Sequence, residues 1–221
     1  MEIFKSIKDE LIYYCHDCIN SPERNGVKHI WACERFLNDL TRSEQEDDKG
    51  FPFVWNEAEA QRIVKWFSLL KHSKGTLAGQ YIQLTTWQKF SLCQLYGWRH
   101  KETGYKRFTQ AFKEVGRKNA KSQEQAGVLL YEISYGASRN NEIYETYTAG
   151  TKREQSKIIF NECNNLLKGS PLRAKFKITK NIIEHKKTGS FIKALSKEDG
   201  QKGDGTNPAV LVLDEYHQQP T

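Results

Sequence analysis

Two short stretches of the sequence carry residue types that can bind and hydrolyse a nucleotide. The first is VGRKNAKS at residues 115–122, which fits the phosphate-loop pattern G-x-x-x-x-G-K-[ST] at Lys121 and Ser122. In such a loop, backbone N–H groups and a helix N-terminus cradle the phosphates, the lysine reaches the β- and γ-oxygens, and the hydroxyl holds Mg²⁺. Both glycine positions depart from the pattern, because Val115 and Ala120 stand there. Taken alone, the stretch also fits a basic loop that precedes a helix.

The second stretch, VLVLDE at residues 210–215, is an apolar run that ends in two acids. A run of this kind is expected of a strand buried on both faces of a parallel sheet, with Asp214 and Glu215 at the edge where α/β proteins bind ligands. In a nucleotide hydrolase the first acid orders Mg²⁺ and the second polarises the attacking water. A strand followed by an acidic helix start would look the same. The two stretches together, in this order, favour a nucleotide site.

A third candidate lies upstream, in Trp87 and Gln88. A glutamine amide can pair with the N7 acceptor and N6 donor of adenine at once, and an aromatic neighbour can pack on the base. The alternative is a helix start capped by Thr85 or Thr86, with Trp87 and Phe90 in the core. We favour the nucleotide role for Gln88, whereas the core position is at least as good an interpretation for Trp87.

The five cysteines do not form a pattern typical of a disulfide framework, because their number is odd and they are scattered. Cys15 and Cys18, with His29 and Cys33 downstream, could be assembled into a zinc site. A structural zinc site usually offers paired ligands at each end, and the sequence offers one clear pair. We therefore interpret these cysteines as half-buried residues of a helix.

These residues have to be positioned by an α/β fold with a helical segment before it. Residues 1–70 place apolar residues at spacings of three and four, and Asn56 with Glu59 is typical of a capped helix start. From about residue 105, strands alternate with helices, which is the pattern of a mainly parallel sheet flanked by helices. The predicted strands are 107–115, 142–149, 175–179, 182–186, 190–194 and 209–213, the predicted helices of this part are 121–135 and 152–167, and residues 41–50 are a predicted loop.

Charge and hydropathy restrict the partners. The 221 residues carry a formal net charge of +7, much of it in residues 104–122 and 172–187, which suits a polyanion such as nucleic acid. A lysine-rich solvated surface would give the same balance. Apolar runs are only a few residues long, so neither a membrane span nor a secretory signal is expected, and the expected location is intracellular.

The chain resembles the large terminase subunit of tailed double-stranded DNA phages. The similarity runs from about Cys33 to His217 and includes CERFLNDL, HSKGTLAGQYIQLTTWQKF, GYKRFTQAFKEVGRKNAKS and GQKGDGTNPAVLVLDEYH. In that family the phosphate loop is deviant and has an arginine near its start, matched here by Arg117. The position before the lysine is usually glycine in the family, so Ala120 is a departure.

The resemblance implies a P-loop NTPase fold, of the class with a catalytic glutamate, and a role in DNA packaging. It implies a helical segment at 1–70 and an ATPase domain at 71–221, without the nuclease domain. It assigns catalysis to Glu215, Lys121 and Arg117, with ATP and Mg²⁺ as cofactors. It assigns metal binding to Ser122 and Asp214. The residues expected to contact the nucleotide are Gln88, Trp87, Gly116, Arg117, Lys118, Asn119, Ala120, Lys121 and Ser122.

The same resemblance implies partners and a location. The expected partners are double-stranded DNA of any sequence, a homo-oligomeric ring on the portal, and the small terminase subunit. The expected location is the host cytoplasm, and the protein is not expected in the mature virion. A neighbour in the ring would insert a basic residue into the site, for which Lys197 and Lys202 are candidates.

Two other functions remain open at this point. Residues 214–217, DEYH, match the D-E-x-H box of nucleic-acid helicases, and Gln88 resembles their adenine-contacting glutamine. The third possibility is a DNA-binding scaffold that has kept the fold and lost hydrolysis, which Val115 and Ala120 would favour. ATP turnover with and without DNA separates the scaffold from the enzymes.

Overall fold

The computed structural model of the chain describes residues 4–45, 50–150, 153–195 and 207–214. These residues form two compact units, one made of residues 1–66 and 83–113, the other of residues 67–82 and 114–221. The chain therefore passes from the first unit to the second and back before it reaches the phosphate loop. The domain boundary between residues 70 and 71 stays a prediction.

The first unit is mainly helical, as the periodicity predicts. Its helices α1 to α4 and its two-stranded antiparallel sheet β1–β2 are as follows: α1 (Ile7–Asn20), α2 (Val27–Glu44), β1 (Phe53–Trp55), α3 (Glu57–Phe67, whose last residue belongs to the second unit), α4 (Thr86–Gly97) and β2 (Trp98–His100). Asn56 caps α3 as predicted, since its Oδ1 accepts a hydrogen bond from the Glu59 N–H at 3.0 Å. Helix α2 extends to Glu44, so residues 41–44 are helical and not part of a loop.

The core of the first unit is aromatic. Phe36 is fully buried and meets Trp55, Phe90 and Trp98 edge to face, with ring centroids 5.3 to 6.2 Å apart. At the edge of this cluster Arg107 forms an ion pair with buried Asp39 at 2.6 Å, and its guanidinium also lies over the rings of the aromatic cluster.

The second unit is an α/β fold. Its elements are α5 (Lys121–Tyr131), a π-helical turn (Glu132–Gly136), α6 (Ala137–Asn140), β3 (Glu145–Ala149), α7 (Arg153–Leu167), a 3₁₀ turn (Arg173–Lys175), β4 (Phe176–Ile178), β5 (Ile182–His185), β6 (Phe191–Ala194) and β7 (Pro208–Leu213). The predicted helices and short strands of this part are confirmed to within a few residues.

The five strands found among the described residues of the second unit form one mixed sheet in the order β4-β5-β6-β3-β7. Strands β6, β3 and β7 are parallel to one another, whereas β4, β5 and β6 form an antiparallel meander. Helix α7 packs on β3 and β6 and against α5. Gly127 of α5 permits close packing, because a Cβ at this position would lie 2.3 Å from a ring carbon of Phe67. The α/β sheet flanked by helices, predicted from the sequence, is confirmed.

Two predicted features of the sheet are wrong. Residues 107–115 form no strand, because their side chains pack elsewhere: the Arg35 and Arg107 guanidiniums lie over the Phe108 ring, and the Lys113 ammonium lies over Trp87. Strand β7 is not buried on both faces. It pairs with β3 alone among the described strands, and Leu211 and Leu213 are 48 % and 39 % exposed. Within the described ranges, no helix combines the length and apolarity that a membrane crossing requires.

Candidate nucleotide-binding site

The candidate phosphate loop lies directly before α5, as the sequence predicts. Residues 116–120 are exposed, and Ala120 is the residue before the first turn of the helix. Inside the loop the Asn119 side-chain amide donates a hydrogen bond to the Gly116 carbonyl at 3.0 Å. Asn119 therefore closes the loop on itself.

The loop contains two non-glycine residues with left-handed backbone, Lys118 at φ 69° and Ala120 at φ 56°. A side chain at such a φ costs about 1–2 kcal/mol, because Cβ approaches the carbonyl oxygen. Gly116 is not among the residues with positive φ, and a Cβ there would meet only ordinary contacts. The position before the lysine has a left-handed backbone. The glycine of the phosphate-loop pattern would adopt this conformation without strain, whereas Ala120 adopts it at an energetic cost. Left-handed residues that alternate with others are typical of backbone nests that bind anions.

The structure brings the two sequence stretches together through Lys121 and Asp214. Lys121 Nζ lies 3.2 Å from Asp214 Oδ1, and the two side chains are 28 % and 6 % exposed. The Asp214 N–H donates a hydrogen bond to the Ala149 carbonyl at 3.3 Å, which fixes the end of β7 beside the end of β3. The carboxylate thus stands at the carboxyl edge of the parallel strands, next to the N-terminus of α5.

Asp214 Oδ1 is buried and has no hydrogen-bond partner among the described residues. The lysine is close enough for an ion pair, but the angles at these atoms do not satisfy a hydrogen bond. A buried carboxylate oxygen with spare acceptor capacity is a suitable ligand for Mg²⁺. Ser122, the other predicted ligand, is half-buried in the first turn of α5. Glu215, Lys197 and Lys202 lie outside the described residues.

Gln88 and Trp87 lie in the first unit, at the start of α4. The side-chain oxygen of Gln88 accepts hydrogen bonds from the Thr85 N–H and hydroxyl, each at 3.0 Å, so this side chain stabilises the helix start. The capping alternative read from Thr85 is thus present in the structure. Trp87 is half-buried, with the Lys113 ammonium 4.5 Å from its ring centroid. Nucleotide contacts of both residues stay a prediction.

The cysteines and histidine that the sequence offered as possible zinc ligands were interpreted as half-buried residues of one helix, but they lie on α1 and α2, and the three cysteines are fully buried. The ligand atoms of Cys18, His29 and Cys33 lie within 4.8 Å of one another. Interaction with the Cys15 thiol lowers the pKa of the Cys33 thiol, whereas interaction with Cys33 and burial raise the pKa of Cys15. The signal was present in the sequence, because His29 and Cys33 are four residues apart and lie on one face of a helix.

Comparisons with known proteins decide the family. Residues 86–221, more than half of the chain, match the family described as "Terminase large subunit, ATPase domain". The chain belongs to this family. The crystal structure of the HK97 bacteriophage large terminase shares the fold, with a TM-score of 0.57 and 23% sequence identity. The match covers 72% of this chain and 31% of that chain, so this chain spans less than a third of the HK97 protein's length. A search of curated proteins found no match.

Membership confirms the predicted family and the P-loop NTPase type of fold. An ATPase domain implies a nucleotide substrate and, in most cases, a divalent metal. The family also favours a terminase over the helicase reading of residues 214–217.

Proposed function

We propose that this chain hydrolyses ATP with Mg²⁺ to drive double-stranded phage DNA into a procapsid, as the motor part of a terminase large subunit. The observation that carries the proposal is the pairing of Lys121 with Asp214 at 3.2 Å. A cation at a helix N-terminus and a carboxylate at a strand end are thus close together, which supports phosphate binding by Lys121 and metal binding by Asp214. This is the arrangement that P-loop ATPases use for phosphoryl transfer.

Each residue of the loop has a task in this proposal. The backbone from Gly116 to Ala120 surrounds the phosphates, and Lys121 and Arg117 neutralise the charge that develops during transfer. Ser122 and Asp214 would hold Mg²⁺, which would supply charge neutralisation for the phosphoryl group. Glu215 accepts a proton from the attacking water. Gln88 and Trp87 contact the adenine, for which the Gln88 oxygen has to leave Thr85.

The DNA surface that we propose is the basic edge of the sheet. We define this edge as the exposed cationic side chains Arg173, Lys175, Lys177, Lys180, Lys186 and Lys187. They lie on or beside β4 and β5, which pair antiparallel and bring Lys177 opposite Glu184. Phosphate contacts of this kind carry no sequence information, as translocation along any genome requires.

The remaining partners follow from the family. We propose that the chain acts in a homo-oligomeric ring on the portal in the host cytoplasm, with the small terminase subunit as a partner. A neighbouring chain would then supply the basic residue that completes the site, with Lys197 and Lys202 as candidates.

Separate substitutions of the two acids test the proposed chemistry. Glu215→Gln should retain Mg·ATP binding and lose turnover, because the acceptor for the water proton is gone. Asp214→Asn should lose the Mg²⁺ dependence of nucleotide binding as well. Calorimetry with ATP, with and without Mg²⁺, and phosphate release with and without DNA provide the readouts. Equal binding defects in the two variants would contradict the division of roles.

A second candidate, the scaffold without hydrolysis, is favoured by one observation, the strained Ala120. The same phosphate-release assay decides between the two, provided that it is run on the ring assembled on the portal, since an isolated chain lacks its neighbour's cation. Turnover there excludes the scaffold, whereas tight DNA binding without turnover supports it.

A further inference from the structure

The cluster of Cys15, Cys18, His29 and Cys33 lies in the first unit and shares no residue with the proposed nucleotide site. The four residues come from two neighbouring helices, a pair from each. Cys15 and Cys18 are one turn apart on α1, and His29 and Cys33 are one turn apart on α2. Helix α1 packs against α2. The second ligand pair that the sequence was judged to lack is therefore present.

The ligand atoms lie close together and away from water. Those of Cys18, His29 and Cys33 are within 4.8 Å of one another, and Cys15 is buried one turn before Cys18 on the same helix. The three cysteines are at most 2 % exposed, and His29 is half-buried. None of the three is in a disulfide. Tetrahedral zinc with Zn–S bonds of about 2.3 Å holds its sulfurs about 3.8 Å apart, so zinc binding requires the three ligand atoms to draw closer and Cys15, one turn from Cys18, to turn toward them.

We propose that Cys15, Cys18, His29 and Cys33 form a structural zinc site that joins α1 to α2. Three thiolates and one imidazole are a ligand set typical of structural zinc, and the spacing C-x₂-C…H-x₃-C comes from pairs on adjacent turns. Four protein ligands leave no open position, so the site stabilises and does not catalyse. Softer sulfur ligands also disfavour Mg²⁺, which the nucleotide site needs.

An outer contact supports this assignment. The Tyr14 hydroxyl lies 2.9 Å from His29 Nε2 and holds the imidazole in place. Histidines that bind zinc almost always use their second ring nitrogen for such a hydrogen bond, which fixes the tautomer and the ring orientation. We therefore assign Nδ1 of His29 to the metal. Edge contacts of the His29 ring with Tyr14 and Phe90 restrict its rotation further.

The competing interpretation is that the cysteines are small apolar residues of the core. Buried cysteines commonly serve that purpose, as do Cys93 and Cys163 here, whose thiols donate to the carbonyls of Ala60 and Ala126. Those two cysteines provide matched controls, since both are buried and lie outside the cluster.

The test is the metal content of the whole chain, expressed with zinc in the medium and purified without a chelator or a histidine tag. Elemental mass spectrometry should find about one zinc per chain. Cys18→Ser and His29→Ala should each lose the zinc, whereas Cys93→Ser and Cys163→Ser should retain it. Absence of zinc from the wild type, or its retention in both cluster variants, overturns the proposal.

A second measurement on the wild type remains decisive if the cluster variants fail to fold. Removal of the metal with a chelator should lower the Tm, and addition of zinc should restore it. Replacement by Co²⁺ should produce thiolate-to-cobalt charge-transfer absorption. A Tm that does not respond to the chelator, or a cobalt spectrum without this band, overturns the proposal. None of these readouts involves ATP, so they are independent of the proposed ATPase.

Discussion

At the scale of single residues, the loop before α5 combines backbone strain with the cation that we propose binds phosphate. Lys121 has the central role in the proposed site, because it is near Asp214 and stands in the first turn of the helix. Ala120, immediately before it, holds a left-handed φ of 56° without being glycine. Substitution of Lys121 is therefore expected to weaken ATP binding, whereas substitution of Ala120 by glycine is expected to raise stability.

Lys121→Ala should weaken ATP binding about 10- to 100-fold, because a charge-assisted contact to phosphate contributes about 1.5–3 kcal/mol, and it should abolish hydrolysis. Isothermal calorimetry measures the affinity, and circular dichroism checks that the variant folds, since Asp214 loses its ion pair. Lys101→Ala, on an exposed turn of the first unit, is the control. Unchanged ATP affinity in a folded Lys121→Ala chain would remove the loop from the proposed mechanism.

Ala120→Gly should raise the free energy of unfolding by up to about 1 kcal/mol. Glycine removes the conformational cost of a left-handed φ, which is about 1–2 kcal/mol. It also raises the conformational entropy of the unfolded chain, which offsets part of this gain in stability. Ala111→Gly is the matched control, because Ala111 is exposed and is not among the residues with positive φ. It should lower stability by roughly 0.4–1 kcal/mol. Urea denaturation of the two variants gives the comparison, and a loss of stability at both positions would count against strain at Ala120.

At the scale of elements, the antiparallel meander contains a buried titratable group. His185 at the end of β5 is 5 % exposed, and its Nδ1 lies 3.0 Å from the Thr188 hydroxyl. Burial lowers its pKa, and the nearby cations Lys175 and Lys187 lower it further. The folded sheet therefore favours the neutral imidazole.

This pKa direction predicts how stability changes with pH. Below its ordinary pKa of about 6.5, His185 takes up a proton more readily in the unfolded chain than in the folded one, so stability is lost as pH falls through this range. His185→Gln should reduce the loss of Tm between pH 7 and pH 5. His16→Gln, at an exposed position on α1, should leave it unchanged. The same slope in all three chains would contradict a role for His185.

The elements also show what a single sequence can and cannot reveal. Lys121, Ser122 and Asp214 could be placed at element ends, because motif spacing and an apolar run define them locally. Residues 107–115 look like a strand by alternation, but cation–π contacts of Phe108 and Trp87 within the first unit determine their path. The exposure of Leu211 depends on the strands that pair with β7. A local sequence pattern does not reveal these neighbours.

At the scale of the whole molecule, the second unit has 19 basic and 13 acidic residues and so carries +6 of the net charge of +7, and the basic edge supplies six of its cations. The chain should bind unrelated duplexes equally, with an affinity that falls steeply between about 50 and 200 mM salt, because each neutralised phosphate releases counterions. A gel-shift titration with two duplexes at two salt concentrations measures this. Sequence-selective binding, or affinity indifferent to salt, would contradict a grip on the DNA backbone.

Two double variants that remove the same charge from different surfaces test which residues bind DNA. Lys177→Ala with Lys187→Ala removes two charges from the basic edge and should weaken binding and flatten the salt dependence by about 0.9 per lost phosphate contact. Lys28→Ala with Lys101→Ala removes the same charge from exposed sites of the first unit. Equal weakening by the two pairs would show that only net charge matters.

The ion pair between Lys121 and Asp214 has a thermodynamic consequence: it should couple the binding of metal to the binding of nucleotide. Without nucleotide, the two charges are each other's counterions. Phosphate alone would take the cation and leave a buried anion uncompensated, and a metal ion alone would do the reverse, which is unfavourable in a poorly solvated site. In the proposed site, Mg·ATP would supply both charges at once, the metal for Asp214 and the phosphates for Lys121. Binding of metal and nucleotide should therefore be positively coupled, each raising the affinity for the other by the same factor, so that only the complete substrate is held tightly.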